Sequence, residues 1–138
     1  MKNIVLFTDS YSPLNDATSI LNTQIVEKLI IDTPTTVVCT TKLTDFTKLY
    51  LNPKKNLYLR RIPIPFLDSR KIIHKSFRYI FFTIGIFIYL LLKRKSRSTY
   101  VIHTSPPLMI PVLIFLLFIR EKIYKKRKKI ILIAHDLY

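Results

Sequence analysis

Three places in the sequence set carboxylates, hydroxyls or an imidazole directly after a short apolar run. Asp9-Ser10-Tyr11-Ser12-Pro13 follows Ile4-Val5-Leu6-Phe7-Thr8, Thr104-Ser105-Pro106-Pro107 follows Tyr100-Val101-Ile102-His103, and His135-Asp136 follows Ile130-Ile131-Leu132-Ile133 and Ala134. The His135–Asp136 pair could supply a base or orient a hydroxyl, and it could equally cap the next element. The first loop leads into a helix N-terminus near Asp16. Free amides there could hold an anion such as a phosphate, or be satisfied by an ordinary cap. Thr104 and Ser105 open a second helix with the same two options. Other chemistries are excluded. Gly85 is the one glycine and lies in an apolar stretch, so neither a Gly-x-Gly-x-x-Gly turn nor a phosphate-binding P-loop can be built, and no cofactor is expected. Three histidines and one cysteine stand without ligand spacing, so no metal is expected. Cys39 falls in the strand-like run Thr36 to Thr40 and reads as a buried structural thiol. One cysteine allows no internal disulfide, which fits a reducing compartment.

The elements that must position these groups follow from periodicity. Asn3 to Thr8 reads as a buried strand, and a helix is expected from Ala17 to Ile31 with Asp16 as its N-cap. An apolar stripe would run through Ile20, Leu21, Ile25 and Leu29, and Asp32-Thr33-Pro34 stops the helix. Thr35 to Thr41 is rich in β-branched residues and reads as strand two, with a loop after it. Leu57 to Ile62 alternates, which predicts an edge strand with one wet face, ended by Pro63 and Pro65. Ser69 to Lys93 is a long helix. Tyr100 to His103 is a strand, Leu108 to Ile119 an apolar helix before the basic stretch Arg120 to Lys129, and Ile130 to Ile133 the last strand. The order β-α-β-β-α-β-α-β, with short, continuously apolar strands, predicts one domain over residues 1–138. It would be a Rossmann-like, mainly parallel sheet with helices on both faces.

Charge is unevenly distributed. Residues 1–52 carry four lysines against five acidic residues, whereas residues 53–138 carry nineteen basic and three acidic ones, beside the most apolar stretches. Basic charge next to long apolar helices favours an anionic membrane surface over a nucleic acid. In the long helix Ile72, Ile73, Phe77, Ile80 and Phe81 fall on one side, and Tyr79 to Leu92 is apolar nearly all round. Two readings fit: core helices packed on the sheet, or a monotopic helix in the bilayer face. In the second, Arg78, Lys93, Arg94, Lys95 and Arg97, and in the later run Lys125, Lys126 and Arg127, would meet lipid headgroups. A full span is the third choice. The first apolar run is too short for a secretory signal, which points to a cytoplasmic location.

The chain resembles the N-terminal, acceptor-binding domain of GT-B glycosyltransferases of family 4, especially bacterial enzymes of surface-polysaccharide synthesis. The resemblance rests on Ile4 to Pro13, on Ala17-Thr18 with the helix Ile20 to Leu29, on Thr104-Ser105-Pro106-Pro107-Leu108, and on Asp136-Leu137-Tyr138. It implies the N-terminal half of a GT-B fold. The acceptor would be a lipid-linked sugar or polysaccharide precursor at the cytoplasmic face of the inner membrane, and a separate C-terminal domain would bind the nucleotide-sugar. It implies that Asp9, Ser10, Tyr11, Asn15 and Asp16 line the cleft from the first loop, and that Thr104, Ser105, His135 and Asp136 line it from later strand ends, with His135 and Asp136 as the catalytic candidates. Leu14-Asn15-Asp16 stands where the family usually has glycines. The donor-binding domain is expected to be absent from this chain, leaving it inactive alone. The alternative is a non-enzymatic, peripheral or monotopic module that anchors a separate catalytic subunit.

Overall fold

The structure, a computed structural model, describes residues 3–11, 17–42, 56–65, 72–92, 98–103, 109–124 and 129–133. The elements are β1 (Asn3–Phe7), α1 (Ala17–Asp32), β2 (Thr35–Lys42), β3 (Leu57–Ile64), α2 (Ile72–Leu92), β4 (Ser98–His103), α3 (Met109–Tyr124) and β5 (Lys129–Ile133). The five strands form one sheet in the order β3-β2-β1-β4-β5, and every neighbouring pair is parallel. This is the Rossmann-like α/β arrangement that the alternating pattern predicts.

Side-chain alternation divides the core into two layers. Val5 and Phe7 of β1, Val38 of β2, and Tyr100 and Ile102 of β4 face one way. There they meet Phe82, Ile86 and Leu90 of α2 and Leu113 and Leu117 of α3. Leu6, Val37, Cys39 and Val101 face the other way and meet Val26 of α1. Helices therefore cover both faces, as parallel strands require.

Several boundaries differ from the sequence reading. Pro63 does not end β3: the strand runs on to Ile64, with Pro63 opposite Thr41 and Ile64 opposite Lys42. Because β3 is an edge strand, the proline nitrogen can face away from β2 and no ladder bond is lost. β4 begins at Ser98, two residues before the apolar run. α3 continues past Ile119 through Arg120 and Glu121 to Tyr124, because charged residues are good helix formers and the sheet-facing stripe of Leu113 and Leu117 continues at the half-buried Glu121. In α1 the buried residues are Ser19, Asn22 and Val26, whereas Ile20 is 53% exposed. The polar side of this helix turns inward because it is hydrogen-bonded to the end of β1.

The turn into β3 is held by one residue. Asn56 has φ of 67°, a left-handed backbone that asparagine tolerates better than most residues. Its Nδ2 donates to the Ile30 carbonyl at 3.2 Å, and its own carbonyl accepts from the Thr35 amide at 2.8 Å. The start of the edge strand is thereby tied to the end of α1 and the start of β2.

α2 buries only a narrow stripe. Phe82, Ile86 and Leu90 recur every fourth residue and sit in the core, while Phe77, Ile80, Phe81, Ile84, Phe87, Ile88 and Leu91 are exposed. On α3, which packs beside it, Val112, Ile114, Phe115, Phe118 and Ile119 are exposed. The side of α2 that looks apolar in the sequence, Ile72 to Phe81, is thus the outer side. The two helices present a broad apolar platform of a kind monomeric soluble proteins rarely leave bare. Among the described residues, α2 alone is long and apolar enough to cross a membrane, although its core stripe packs on the sheet.

Candidate functional site

The strand order reverses between β1 and β4. From β1 the chain moves outward to β2 and β3, then crosses back to β4 and β5 on the other side. Loops leaving the two central strands at such a point diverge and open a crevice. Here the switch point lies beyond Phe7 and its register partner Ile102, at Thr8-Asp9-Ser10 and His103.

Thr8 is the hub of this edge. Its amide donates to the Val38 carbonyl at 3.1 Å, which extends the β1–β2 ladder by one bond. Its hydroxyl donates to the Ser10 carbonyl at 2.9 Å and accepts from the Ser10 amide at 3.2 Å. Asn22 Nδ2, reaching in from α1, donates to the Thr8 hydroxyl at 2.8 Å and to the Ser10 carbonyl at 3.1 Å. The Thr40 hydroxyl at the end of β2 donates to the Asp9 carbonyl. Three elements therefore fix the backbone on which Asp9 sits. All these groups are buried or half-buried, where satisfied polar networks rigidify a site.

The Asp9 carboxylate meets a guanidinium. Arg78 Nη2, from the second turn of α2, lies 3.5 Å from Asp9 Oδ2, with the two side chains 22% and 10% exposed. The Arg78 guanidinium also lies 5.2 Å from the centroid of the Tyr79 ring. An anchored carboxylate can accept hydrogen from a sugar hydroxyl, and a guanidinium beside it can take a phosphate. Asn22 Oδ1 is buried and accepts no hydrogen bond from any described residue.

Of the residues singled out in the sequence, the structure brings Asp9, Ser10 and Arg78 together. Ser10 contributes backbone and is 8% exposed. Tyr11 turns inward, 5% exposed, into the layer with Leu6, Val37 and Cys39, so it anchors the loop. His103 is buried at the end of β4, facing the interior. Asn15, Asp16, Thr104, Ser105, His135 and Asp136 lie outside the described residues, as do Lys93, Arg94, Lys95, Arg97, Lys125, Lys126 and Arg127. Arg78, read from the sequence as a headgroup contact, directs its charge to the crevice. Asn22 and Thr40 were not legible as site residues. The one signal was a polar residue, Asn22, three positions after Ser19 on a helix whose other side is apolar. Among the described residues no cluster of three His, Cys, Asp or Glu could hold a metal.

Beneath the loop, Tyr11 and Cys39 are buried together, within electrostatic reach of the half-buried Arg61 and, for Tyr11, of the exposed Glu27. Burial pushes the Cys39 thiol from its ordinary 9.0 to about 12, against the pull of Arg61. Burial, then the Cys39 and Glu27 charges, pushes the Tyr11 phenol from 10.0 to about 12, again against Arg61. Both groups hold their protons longer in the folded state than in the unfolded one. Their contribution to stability is therefore complete below about pH 9 and is lost as pH rises toward 12, with a slope of up to about 1.4 kcal/mol per pH unit for each group. The guanidinium midpoint is expected to be flat from about pH 7 to 8.5 and to fall steeply above 9. Cys39→Ala should shift the onset of that fall toward the tyrosine range, and an onset unchanged by the substitution would remove the thiol from the account. In the native state Cys39 should resist thiol reagents, because the thiolate is the nucleophile and the side chain is fully buried.

Comparison with known protein families, characterised proteins and solved structures finds no match to this chain.

Proposed function

We propose that this chain is the acceptor-binding half of a membrane-associated glycosyltransferase. It would act with a donor-binding domain to transfer a sugar from a nucleotide-sugar to a hydroxyl of a lipid-linked or polysaccharide-precursor acceptor, at the cytoplasmic face of the inner membrane. One observation carries the reading. The same helix, α2, offers Arg78 to the crevice carboxylate Asp9 at one end and an unpartnered apolar flank along its length. A lipid-linked sugar is a molecule that needs both, a polar pocket for sugar and phosphate beside a surface that tolerates lipid. The resemblance of the Asp9-Ser10-Tyr11-Ser12-Pro13 loop to family 4 glycosyltransferases points the same way.

In this reading Asp9 accepts a hydrogen bond from an acceptor hydroxyl, Arg78 neutralises the phosphate, and the Thr8–Asn22–Thr40 network holds the loop. His135 and Asp136 supply the base. The test needs no knowledge of the donor. A short-chain isoprenyl diphosphate sugar is titrated into the full chain in detergent. Binding is expected to be saturable and to weaken about ten-fold with Arg78→Gln and with Asp9→Asn, the loss of one charge-assisted hydrogen bond each. Affinity unmoved by both substitutions would sink the assignment.

A second reading is favoured by the platform alone: a non-enzymatic module that binds the membrane and anchors a catalytic partner. It predicts vesicle binding without any preference for the diphosphate sugar in the same titration.

A further inference from the structure

A groove of about 760 Å³ lies between α2 and the β2–β3 edge of the sheet, well away from the crevice. α2 packs on this face through Phe82, Ile86 and Leu90, whose core cluster takes in Val38 of β2 and Ile64 of β3, and the groove opens between the helix and the outer part of this edge. Thr36, Val38 and Ile62 form the floor, and Ile88, Tyr89 and Leu92 form the helical wall. At one end the wall touches the floor. A Cβ on Gly85 would stand 2.6 Å from Ile62 Cγ2 and 2.8 Å from Ile62 Cδ1, so any larger residue would force the Ile62 side chain or α2 to shift. From there the slot runs along α2 to its last residue, Leu92, a distance of about 10 Å at 1.5 Å per residue. It is continuous with the exposed apolar residues Ile88 and Leu92 of the platform.

The outer lip is the edge strand, and its charge is cationic. Arg60 lies two residues from both Tyr58 and Ile62 on the same side of β3, is exposed, and makes no ion pair with any described residue. The groove thus joins an apolar slot within the size range of ligand sites to the exposed positive charge of Arg60 at its rim, with the half-buried Arg61 also among its lining residues.

We propose that this groove holds one hydrocarbon chain of an anionic membrane phospholipid, with the lipid phosphate on Arg60. The inference rests on the membrane-associated reading but not on the identity of the sugar acceptor. About 20 Å of helix separates Arg78 from Leu92, so the lipid held here is a resident of the membrane and not the substrate of the crevice. Its role is to fix the depth and orientation of α2 at the bilayer.

The chain contains no tryptophan, so a single introduced indole reports its own surroundings. Tyr58→Trp places one at the groove on a side chain that is 60% exposed, and Phe115→Trp places one on the platform at 62% exposure. Dihexanoyl phosphatidic acid below its micellar concentration is expected to shift the emission of Tyr58→Trp saturably and to leave Phe115→Trp unchanged. Adding Arg60→Gln should weaken that response about ten-fold, the effect of one charge-assisted contact. Brominated phosphatidylglycerol vesicles are expected to quench Phe115→Trp. Vesicle quenching of Phe115→Trp together with an absent or non-saturating Tyr58→Trp response overturns the groove and leaves the membrane reading intact. A saturable response indifferent to Arg60→Gln also overturns it, and reduces Arg60 to a charge that guards a sheet edge. Absence of vesicle quenching at Phe115→Trp defeats the membrane reading itself.

Discussion

Placing two aspartates on the outer face of the helix pair, Phe81→Asp with Phe115→Asp, is expected to lower partitioning onto anionic vesicles by about two to four orders of magnitude, with folding stability changed by less than about 1 kcal/mol. The size follows from area. Each phenylalanine that enters the interface recovers about 1.5–3 kcal/mol of transfer free energy, and two lost together give about 3–6 kcal/mol. The added negative charges also oppose the anionic surface. Stability is spared because neither side chain is in the core: Phe81 is 42% exposed and Phe115 is 62% exposed. Flotation with phosphatidylglycerol vesicles reads the first quantity, and guanidinium unfolding followed by circular dichroism reads the second. A double variant that floats like the parent would show that the platform does not meet lipid. A variant that loses stability in step with binding would show that these residues serve an internal contact.

Phe7→Ala is expected to cost about 3–5 kcal/mol, a large part of the roughly 5–15 kcal/mol by which domains of this kind are stable. Phe7 is 1% exposed in the central strand. Its ring is parallel to that of Tyr100 on β4 with centroids 5.9 Å apart, and it meets Tyr89 of α2 edge-on at 6.2 Å and 79°. One truncation therefore opens a cavity where two layers and two strands meet, and removes two aromatic pairs worth about 0.5–1.5 kcal/mol each beyond their area. Phe7→Leu, which keeps most of the volume, should cost less than about 2 kcal/mol. Equilibrium unfolding in guanidinium distinguishes the two. A cost below 1.5 kcal/mol for the alanine variant, with the slope of the transition unchanged, would mean that the core closes around the gap.

Much of the fold was legible because apolar runs and breakers alternate cleanly. The runs Ile4 to Phe7, Thr36 to Thr40 and Tyr100 to His103 have little alternation, which specifies strands buried on both faces, and the alternation of Leu57 to Ile62 specified an edge. Side-chain facing was less legible where apolar residues surround a helix. In α2 periodicity cannot choose between the Phe82-Ile86-Leu90 stripe and the Ile73-Phe77-Ile80-Ile84 stripe, since both are apolar and only the sheet decides. In α1 the core side is Ser19-Asn22-Val26, because hydrogen bonds to Thr8 and Ser10 compensate the burial of Asn22. A hydrophobic pattern carries no trace of such bonds. The site was legible at Asp9 as the polar residue after a central strand. The pairing of Asp9 with Arg78 spans β1 and α2, a contact that no local spacing announces.

The order of the sheet also sets a timetable. β1 lies at the centre, and its partner β4 begins only at Ser98, after all of α2. On a growing chain the core stripe of α2 therefore emerges after Val5, Phe7, Val38 and Ile64 but before Tyr100, Ile102, Leu113 and Leu117, which complete its cover. At about 5–20 residues per second, the stretch from Leu90 to Leu117 takes roughly one to five seconds to synthesise. Helix formation is complete within about a microsecond. For nearly the whole of that interval α2 is a finished helix, apolar nearly all round from Tyr79 onward, whose cover is incomplete. The first large apolar surface it meets is then decided by the rate of translation, so slowing the ribosome between β4 and α3 should favour capture by chaperones or bilayer over docking on the sheet.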